Sequence, residues 1–200
     1  MKKSTNSILS DETTNEAIAP NRGYKPFTSI PIDINFQTPI EICDYMVSLV
    51  PDFAKSIFEP TPGMGNIVKS LEKSGYQITT ADDFFLFDKS KRFDCIVMNP
   101  PFSSKSAYMQ NAPAGSEVQG MKLGYFILKQ CMEMSDNVIA LMPWYTISDS
   151  DVRMRYLRAF GIKSLTPLPR KTFQYARIQT IIIELEKGYQ GKTHFYTDKF

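Results

Sequence analysis

Short apolar runs alternate with helical patterns along most of the chain. The apolar runs predict strands, and apolar residues spaced three or four positions apart predict helices. The predicted strands are 55–59, 76–81, 94–98, 137–142, 164–168 and 178–186, and the predicted helices are 66–74, 119–134 and 150–160. Such alternation is typical of an α/β fold with a doubly wound, mostly parallel sheet, in which ligands bind beyond the carboxyl ends of the strands.

One more helix is predicted ahead of the first strand. Thr38 and Glu41 have the spacing of a capping box, and Pro39 would lie in the first turn. The helix would then bury a stripe formed by Ile40, Cys43, Val47 and Val50.

The third predicted strand ends in Asn99-Pro100-Pro101-Phe102. Two consecutive prolines fix φ and lack N–H groups, so the loop is stiff and the Pro100 carbonyl cannot join a helix or a strand ladder. Asn99 adds a side-chain acceptor, and Phe102 adds an aromatic ring. Acceptors beside a stacking surface suit a planar group that carries an NH2. An ordinary turn after a strand is the simpler alternative.

A second motif, Glu59-Pro60-Thr61-Pro62-Gly63-Met64-Gly65, joins the first predicted strand to the helix at 66–74. Its glycines let the backbone approach a ligand closely, and the helix N-terminus adds a partial positive charge. Val68 stands where a dinucleotide fingerprint has its third glycine, and no phosphate-binding Gly-Lys-Ser/Thr follows. The motif therefore suits a nucleotide without a pyrophosphate better than NAD or ATP.

These motifs together resemble the class I S-adenosylmethionine-dependent methyltransferases, and specifically those that methylate the exocyclic amine of adenine in DNA. The order of Phe36-Gln37-Thr38-Pro39, the Glu59 motif, Asp83-Phe84 and Asn99-Pro100-Pro101-Phe102 is that of the gamma type. The likeness extends from about Phe36 to Lys187. It implies a Rossmann-like fold. One βα unit is shortened, since only residues 66–82 separate Gly65 from Asp83.

The resemblance implies residues for binding the cofactor, S-adenosylmethionine. Glu59 would bind the ammonium of the methionine part, with capping of the next helix as its alternative role. Thr38 would contact the methionine carboxylate, and capping its own helix is compatible with that contact. Asp83 would bind the adenine amine and Phe84 would cover the adenine ring. Either Asp82 binds the ribose hydroxyls or the ribose contact is lost. The full set is Phe36, Thr38, Glu59, Pro60, Thr61, Gly63, Gly65, Asp82, Asp83 and Phe84.

The resemblance also assigns the chemistry to Asn99, Pro100, Pro101 and Phe102. The Asn99 side-chain oxygen and the Pro100 carbonyl would hold an adenine amine that has been flipped out of the duplex. Phe102 would stack on the flipped base, although core packing is the alternative for this ring. Tyr108 is a second candidate for stacking. A covalent route through a cysteine is unsupported, because Cys95 lies inside a strand pattern.

Length and composition fit one enzyme domain. The chain has 200 residues, of which 42% are hydrophobic, enough for a single core. Residues 1–25 are polar and predict a disordered tail, which leaves 26–200 as the catalytic domain. The odd number of cysteines (Cys43, Cys95 and Cys131), without a signal peptide, favours reduced thiols in the cytoplasm and no metal. No apolar stretch reaches the roughly 20 residues that cross a bilayer.

The net charge of +2 is modest, but the basic residues are unevenly distributed. Val152 to Thr180 contains seven Lys and Arg residues and no acid. Arg170 and Lys171, in the loop before the last long strand, are the best candidates for phosphate contacts. A solvated helix face is the equally simple explanation for the arginines of 150–160.

Substrate and partners remain open at the level of sequence. No target-recognition domain is expected after the catalytic core, so selectivity would come from the loop at 103–120, from a specificity subunit, or would be loose. A phage methyltransferase or one subunit of a restriction-modification system would have this organisation. Related chemistry would serve a guanine amine in RNA or a glutamine amide in a protein. A degenerate, cofactor-free binding module is the non-enzymatic alternative.

Overall fold

The computed structural model describes residues 37–102, 111, 122–173 and 178–200. Seven strands in these ranges form one sheet. They are β1 (Ser56–Glu59), β2 (Gln77–Thr80), β3 (Cys95–Met98), β4 (Asn137–Pro143), β5 (Ile162–Pro167), β6 (Thr180–Glu186) and β7 (His194–Phe195). Their order across the sheet is β2-β1-β3-β4-β6-β5-β7.

The sheet is mostly parallel, as the sequence predicts. β1 is parallel to β2 and β3, and β3 is parallel to β4. β6 runs antiparallel to both of its neighbours, β4 and β5. Strands β1 to β5 therefore all end at one edge of the sheet, which we call the carboxyl edge.

Helices cover both faces of the sheet, which confirms the doubly wound α/β class. The helices are α1 (Ile40–Ser48), α2 (Asn66–Lys73), α3 (Lys122–Met134), α4 (Tyr145–Ser148) and α5 (Asp151–Phe160). α1 and α2 pack on the face that carries Ile57 and Val97. α3 and α5 pack on the face that carries Phe58 and Ile96. Because both faces are covered, β3 is a continuous apolar run with all four residues buried.

The start of α1 differs from the prediction. The helix begins at Ile40 with Pro39 as its N-cap, and no side chain caps it, so the predicted capping box is wrong. Ile40 is 51% exposed and does not belong to the buried stripe. The buried residues of the helix are Ile42, Cys43, Met46 and Val47.

Other elements agree closely with the sequence pattern. Only α2 and β2 lie between Gly65 and Asp83, as the short spacing predicts. α4 and β7 were not predicted, because four and two residues are too short to show a period. Residues 1–25 and 119–121 lie outside the described residues. No helix in the described part of the chain is long and apolar enough to cross a membrane.

Asp94 joins the beginnings of β1 and β3. Its carboxylate Oδ2 accepts hydrogen bonds from Lys55 N at 2.9 Å, Ser56 N at 2.8 Å and Ser56 Oγ at 2.9 Å. The backbone N–H of Asp94 in turn donates to the Ser56 carbonyl. The hydrogen bonds from Ser56 and Lys55 lower the pKa of Asp94 below its ordinary value of 3.8. This residue aligns the two strands whose other ends form the site described below.

We predict that Asp94→Ala destabilises the protein by about 1 kcal/mol at pH 7, a value reduced for solvent exposure. A carboxyl whose pKa is lowered by folding stabilises the fold above its ordinary pKa, and the effect is lost as pH falls through the lowered pKa. Urea denaturation at pH 7 and pH 3 measures the difference from the wild type, which should shrink at the lower pH. Asp52→Ala, at an exposed position, is the control. A difference that is the same at both pH values would contradict this role.

Candidate active site

Polar side chains from three separate segments meet at the carboxyl edge. Glu59 is the last residue of β1, and Asn99 directly follows β3. These strands are adjacent and parallel, with Ile57 paired to Cys95 and Phe58 to Ile96. The register places Asn99 just beyond Glu59 on the neighbouring strand. The segment before α1 supplies Thr38 to the same place, through the hydrogen bond to Asn99 given below.

Glu59 is a fully buried carboxyl group. Its Oε1 accepts hydrogen bonds from Thr61 N at 2.9 Å and from Thr61 Oγ1 at 3.3 Å. In the described part of the chain, no group hydrogen-bonds to Glu59 Oε2, which is also buried. Burial raises the pKa of Glu59 to about 8, and the two hydrogen bonds from Thr61 only partly oppose that rise. A carboxyl in this state needs either a proton or a cation as partner.

The alternative role of Glu59 as a helix cap does not agree with the structure. The N-cap of α2 is Gly65, and no side chain caps the helix. The carboxylate instead stabilises the turn that follows β1 through Thr61.

Thr61 connects the carboxyl group to the Asn99 loop. Its Oγ1 lies 3.3 Å from Glu59 Oε1 and 3.3 Å from the backbone oxygen of Asn99. A hydroxyl has one hydrogen to donate, so the two acceptors share it. The turn after β1 and the loop after β3 are therefore held together by one side chain.

The Asn99 side chain is oriented by Thr38. Asn99 Nδ2 donates to Thr38 Oγ1 at 3.0 Å, and Thr38 is buried. The hydroxyl expected to cap α1 thus serves Asn99, which explains why the capping box is wrong. The Thr38 carbonyl accepts from Asn66 Nδ2 at 2.9 Å. Three predicted motifs are in this way joined by direct hydrogen bonds.

The glycine turn lies under a side chain that the sequence reasoning missed. Gln37 Oε1 accepts from Met64 N at 2.9 Å. Gly63 has φ of +53°, and a Cβ there would lie 2.9 Å from Gln37 Nε2. The positive φ favours glycine at this position, and a larger residue would also have to displace the end of the Gln37 side chain. Gln37 lies in the motif at 36–39 and Asn66 begins the predicted helix at 66–74, but nothing in their spacing indicates which neighbours they bind.

Asp82, Asp83 and Phe84 lie just beyond the carboxyl end of β2, after Ala81. Asp83 Oδ1 accepts from Phe85 N at 2.8 Å, and its Oδ2 accepts from Asn111 Nδ2 at 2.8 Å. Phe84 is 1% exposed and lies in the core, with the Lys89 ammonium 4.0 Å from its ring centroid. Asp82 is exposed. β2 neighbours β1, so these residues lie on the same edge as Glu59, and their cofactor roles stay predictions.

The loop after Asn99 packs firmly against the domain. Pro100 is buried, and Pro101 and Phe102 are half-buried. The Phe102 ring packs beside the hydrophobic cluster under α1 and α2. Core packing, the alternative for Phe102, therefore accounts for part of its surface. Phe36 and Tyr108, the other aromatic candidates, lie outside the described residues.

The basic residues separate into different environments. Arg170 and Lys171 are exposed in the loop after β5, at the carboxyl edge. Lys163 instead pairs with Glu184 at 3.1 Å and Glu186 at 3.2 Å. On α5, Arg153 lies over the ring of Tyr125. Among the described residues, the loop pair is thus one exposed basic group at the edge that carries the site.

The cysteines are not suited to covalent chemistry. Cys43, Cys95 and Cys131 are free and buried. Burial raises the pKa of Cys43 and of Cys95 to about 12, so both thiols stay protonated near neutral pH. Among the described residues, no group of three or more His, Cys, Asp or Glu side chains could hold a metal ion.

Comparison with solved structures shows which class of proteins shares this fold. One match is the methyltransferase subunit of a type I restriction-modification system from Streptococcus thermophilus (16% identity, TM-score 0.59, 80% of this chain and 47% of that one). A second is described as a class I S-adenosylmethionine-dependent methyltransferase from Listeria monocytogenes (16% identity, TM-score 0.60, 86% of this chain and 69% of that one). A third is the M protein of the type I restriction enzyme EcoKI (12% identity, TM-score 0.55, 81% of this chain and 45% of that one).

The chain therefore has the fold of class I S-adenosylmethionine-dependent methyltransferases. It spans about half the length of the two type I subunits. No protein-family model matches the sequence, and no curated protein matches it.

The structure offers one independent test of whether the residues suit that cofactor. S-adenosylmethionine carries an ammonium group, and Glu59 Oε2 is a buried acceptor with no hydrogen-bond partner among the described residues. A bound cation would satisfy this atom and return the carboxyl to its charged form. The residues present fit the cofactor at this point.

We predict that Glu59→Gln stabilises the ligand-free protein at pH 8.5 by about 3 kcal/mol but has little effect at pH 5. A carboxyl whose pKa is raised from 4.5 to about 8 by folding stabilises the fold below its ordinary pKa, and this is lost as pH rises through 8. The glutamine amide cannot ionise, so the variant does not lose this stability as the pH rises. Melting temperatures measured from pH 5 to pH 9 test this, with the exposed Glu72→Gln as control. Parallel curves for wild type and Glu59→Gln would contradict it.

Proposed function

We propose that the protein transfers a methyl group from S-adenosylmethionine to the exocyclic amine of adenine in DNA. The observation that carries this proposal is the hydrogen-bonded connection between Glu59 and Asn99 through Thr61. This connection places a buried carboxyl group, which a cation would stabilise, beside a loop rich in hydrogen-bond acceptors. The cofactor, when bound, supplies a methyl group attached to a positively charged sulfur.

The cofactor would be held mainly by the turn after β1. Glu59 accepts the ammonium, while Pro60, Thr61, Gly63 and Gly65 form the turn around it. The close approach of Gln37 to Gly63 shapes this turn from outside. At the end of β2, Asp83 is the acceptor for the adenine amine, and Asp82 is exposed and available for the ribose hydroxyls. Thr38 and Phe36 complete the proposed set at the start of the domain.

Asn99 and Pro100 would activate the target amine. The nitrogen lone pair of an adenine amine is delocalised into the ring, so the amine is a poor nucleophile. The Asn99 side-chain oxygen and the Pro100 carbonyl accept its two N–H bonds and favour a more tetrahedral nitrogen. They also stabilise the positive charge that grows on nitrogen, provided that they are held rigidly. The two prolines supply that rigidity.

Thr38 would fix the direction of the Asn99 amide. Because Nδ2 donates to the buried Thr38 hydroxyl at 3.0 Å, the amide nitrogen faces Thr38. Its oxygen diverges from that contact by the planar geometry of the group. The amide is then set to present an acceptor to the substrate, which is the requirement of the mechanism.

Adenine must leave the duplex to reach these groups. The surface of Phe102 that core packing leaves uncovered would stack on the flipped base, with Tyr108 as a second aromatic residue. Arg170 and Lys171, exposed at the same edge of the sheet, would contact phosphates. Recognition of a target sequence is assigned to a specificity subunit or to the loop at 103–120. The free thiols are consistent with a reaction in the cytoplasm.

The early Phe-Gln-Thr-Pro element supports DNA adenine over a guanine amine in RNA or a glutamine amide in a protein. The same acceptors would serve all three planar amines, and the fold does not choose among them. A cofactor-free binding module would have no need of the buried acceptor on Glu59. The substrate is therefore to be decided by direct assay.

We predict that Asn99→Ala lowers the turnover number on DNA about 100-fold or more, the scale known for loss of one preorganised polar group. The affinity for S-adenosylmethionine should stay within about threefold. Labelled S-adenosylmethionine is incubated with unmethylated DNA, ribosomal RNA or release factor, and the modified unit is identified after digestion. Calorimetry measures cofactor binding separately.

Two variants of Thr38 serve as matched controls for this assay. Thr38→Ser keeps the hydroxyl that orients Asn99 and should retain most of the activity, whereas Thr38→Val removes it and should lose about tenfold. Turnover by Asn99→Ala equal to that of the wild type would overturn the assigned role. Label found only in RNA or in protein would redirect the proposal to that substrate.

We predict that the double variant Arg170→Ala/Lys171→Ala weakens DNA binding and makes its salt dependence shallower. Each lost phosphate contact should reduce the slope of log affinity against log salt concentration by about 1. Fluorescence anisotropy with a DNA duplex between 50 and about 200 mM salt covers the informative range. Arg155→Ala/Arg158→Ala on α5 removes the same charge at exposed positions elsewhere. Equal slopes for the two double variants would contradict the assignment.

A further inference from the structure

Gly124 is a buried glycine near the start of α3. It is the third residue of the helix. Its neighbour Leu123 and the later Ile127 and Leu128 all pack in the core. Glycine weakens a helix relative to alanine, and Gly124 is not among the positive-φ glycines that need to be glycine for their backbone shape. Its presence therefore calls for a packing explanation.

The explanation is that the loop after β3, which contains Pro101 and Phe102, lies close to Gly124. A Cβ at Gly124 would lie 3.2 Å from the Pro101 carbonyl oxygen, 3.5 Å from Phe102 Cα and 3.6 Å from Phe102 Cδ1. The closest of these atoms belongs to the backbone, so it cannot turn aside as the end of a side chain could. A methyl group at this position would push the loop away from α3 by a few tenths of an ångström.

The part of the loop before Pro101 has little freedom to adjust to such a push. Pro100 and Pro101 have φ fixed by their rings, and each also restricts the residue before it. Asn99 and Pro100, which carry the two proposed acceptors, come immediately before Pro101 in the chain. We therefore expect a displacement at Pro101 to reach the two acceptors assigned to the target amine.

We propose that Gly124 is a positioning residue. Because it has no Cβ, the loop can lie close against α3, and this contact fixes the position of the Asn99-Pro100 acceptor pair. The inference rests on the proposed function. Its distinguishing feature is that alanine at this position should harm the chemistry while it changes the stability little. A residue that is merely structural would change stability and activity in the same direction.

The test compares Gly124→Ala with the wild type in the full chain. Turnover on unmethylated DNA should fall about tenfold, in line with losses of about 100-fold for a misplacement of 1 Å. The KM for S-adenosylmethionine should stay within about twofold, since Gly124 contacts the substrate loop and not the turn after β1. The melting temperature should change little, because the gain in helix propensity opposes the cost of the close contact. Glu133→Ala, an exposed site on the same helix, should leave all three quantities near the wild-type values.

A second readout does not depend on activity. In the ¹⁵N-labelled protein, the side-chain amide resonances of Asn99, assigned by their loss in Asn99→Asp, should shift in Gly124→Ala and not in Glu133→Ala. If the wild type modifies no substrate, the proposed function fails, while this spectrum still decides the position of the loop. Unchanged turnover or an unmoved Asn99 resonance in Gly124→Ala would each overturn the inference.

Discussion

The site depends on one electrostatic constraint, the burial of the Glu59 carboxyl at the end of a central strand. Only Thr61 hydrogen-bonds to it among the described residues, and only through Oε1. Burial raises its pKa to about 8, so the ligand-free protein keeps a group that is costly to ionise and that a cation would stabilise. Such unsatisfied groups are rare in folded proteins and mark functional positions.

The same turn couples this carboxyl to the chemistry. Thr61 bonds to the Asn99 backbone, and Thr38 bonds to the Asn99 side chain. Parallel pairing of β1 and β3, aligned at their beginnings by Asp94, brings the two strand ends together. The proposed cation site and the proposed acceptor pair therefore depend on the same arrangement of strands, and α3 lies close to the second of them at Pro101.

Sequence pattern predicts the fold well because each core strand is a short apolar run and the helices have clear periods. It fails at the start of α1, where Thr38 could satisfy either its own helix or a distant partner. Asn99 lies 61 positions away, and local spacing carries no information about that competition. The roles of Gln37 and Gly124 are hidden for the same reason, since both depend on atoms from other segments. Motif order placed Glu59, Thr61 and Asn99 at one edge, but only their hydrogen bonds show how they are joined.

The central claim, that Glu59 awaits a cofactor cation, is tested most directly by the proton balance of binding. Calorimetric titration with S-adenosylmethionine at pH 7, in buffers of different ionisation enthalpy, counts the protons released. A carboxyl with a pKa of about 8 is mostly protonated at that pH, so the account predicts release of close to one proton by the wild type and none by Glu59→Gln, together with weaker binding. Equal affinity and equal proton release in the two proteins would contradict it.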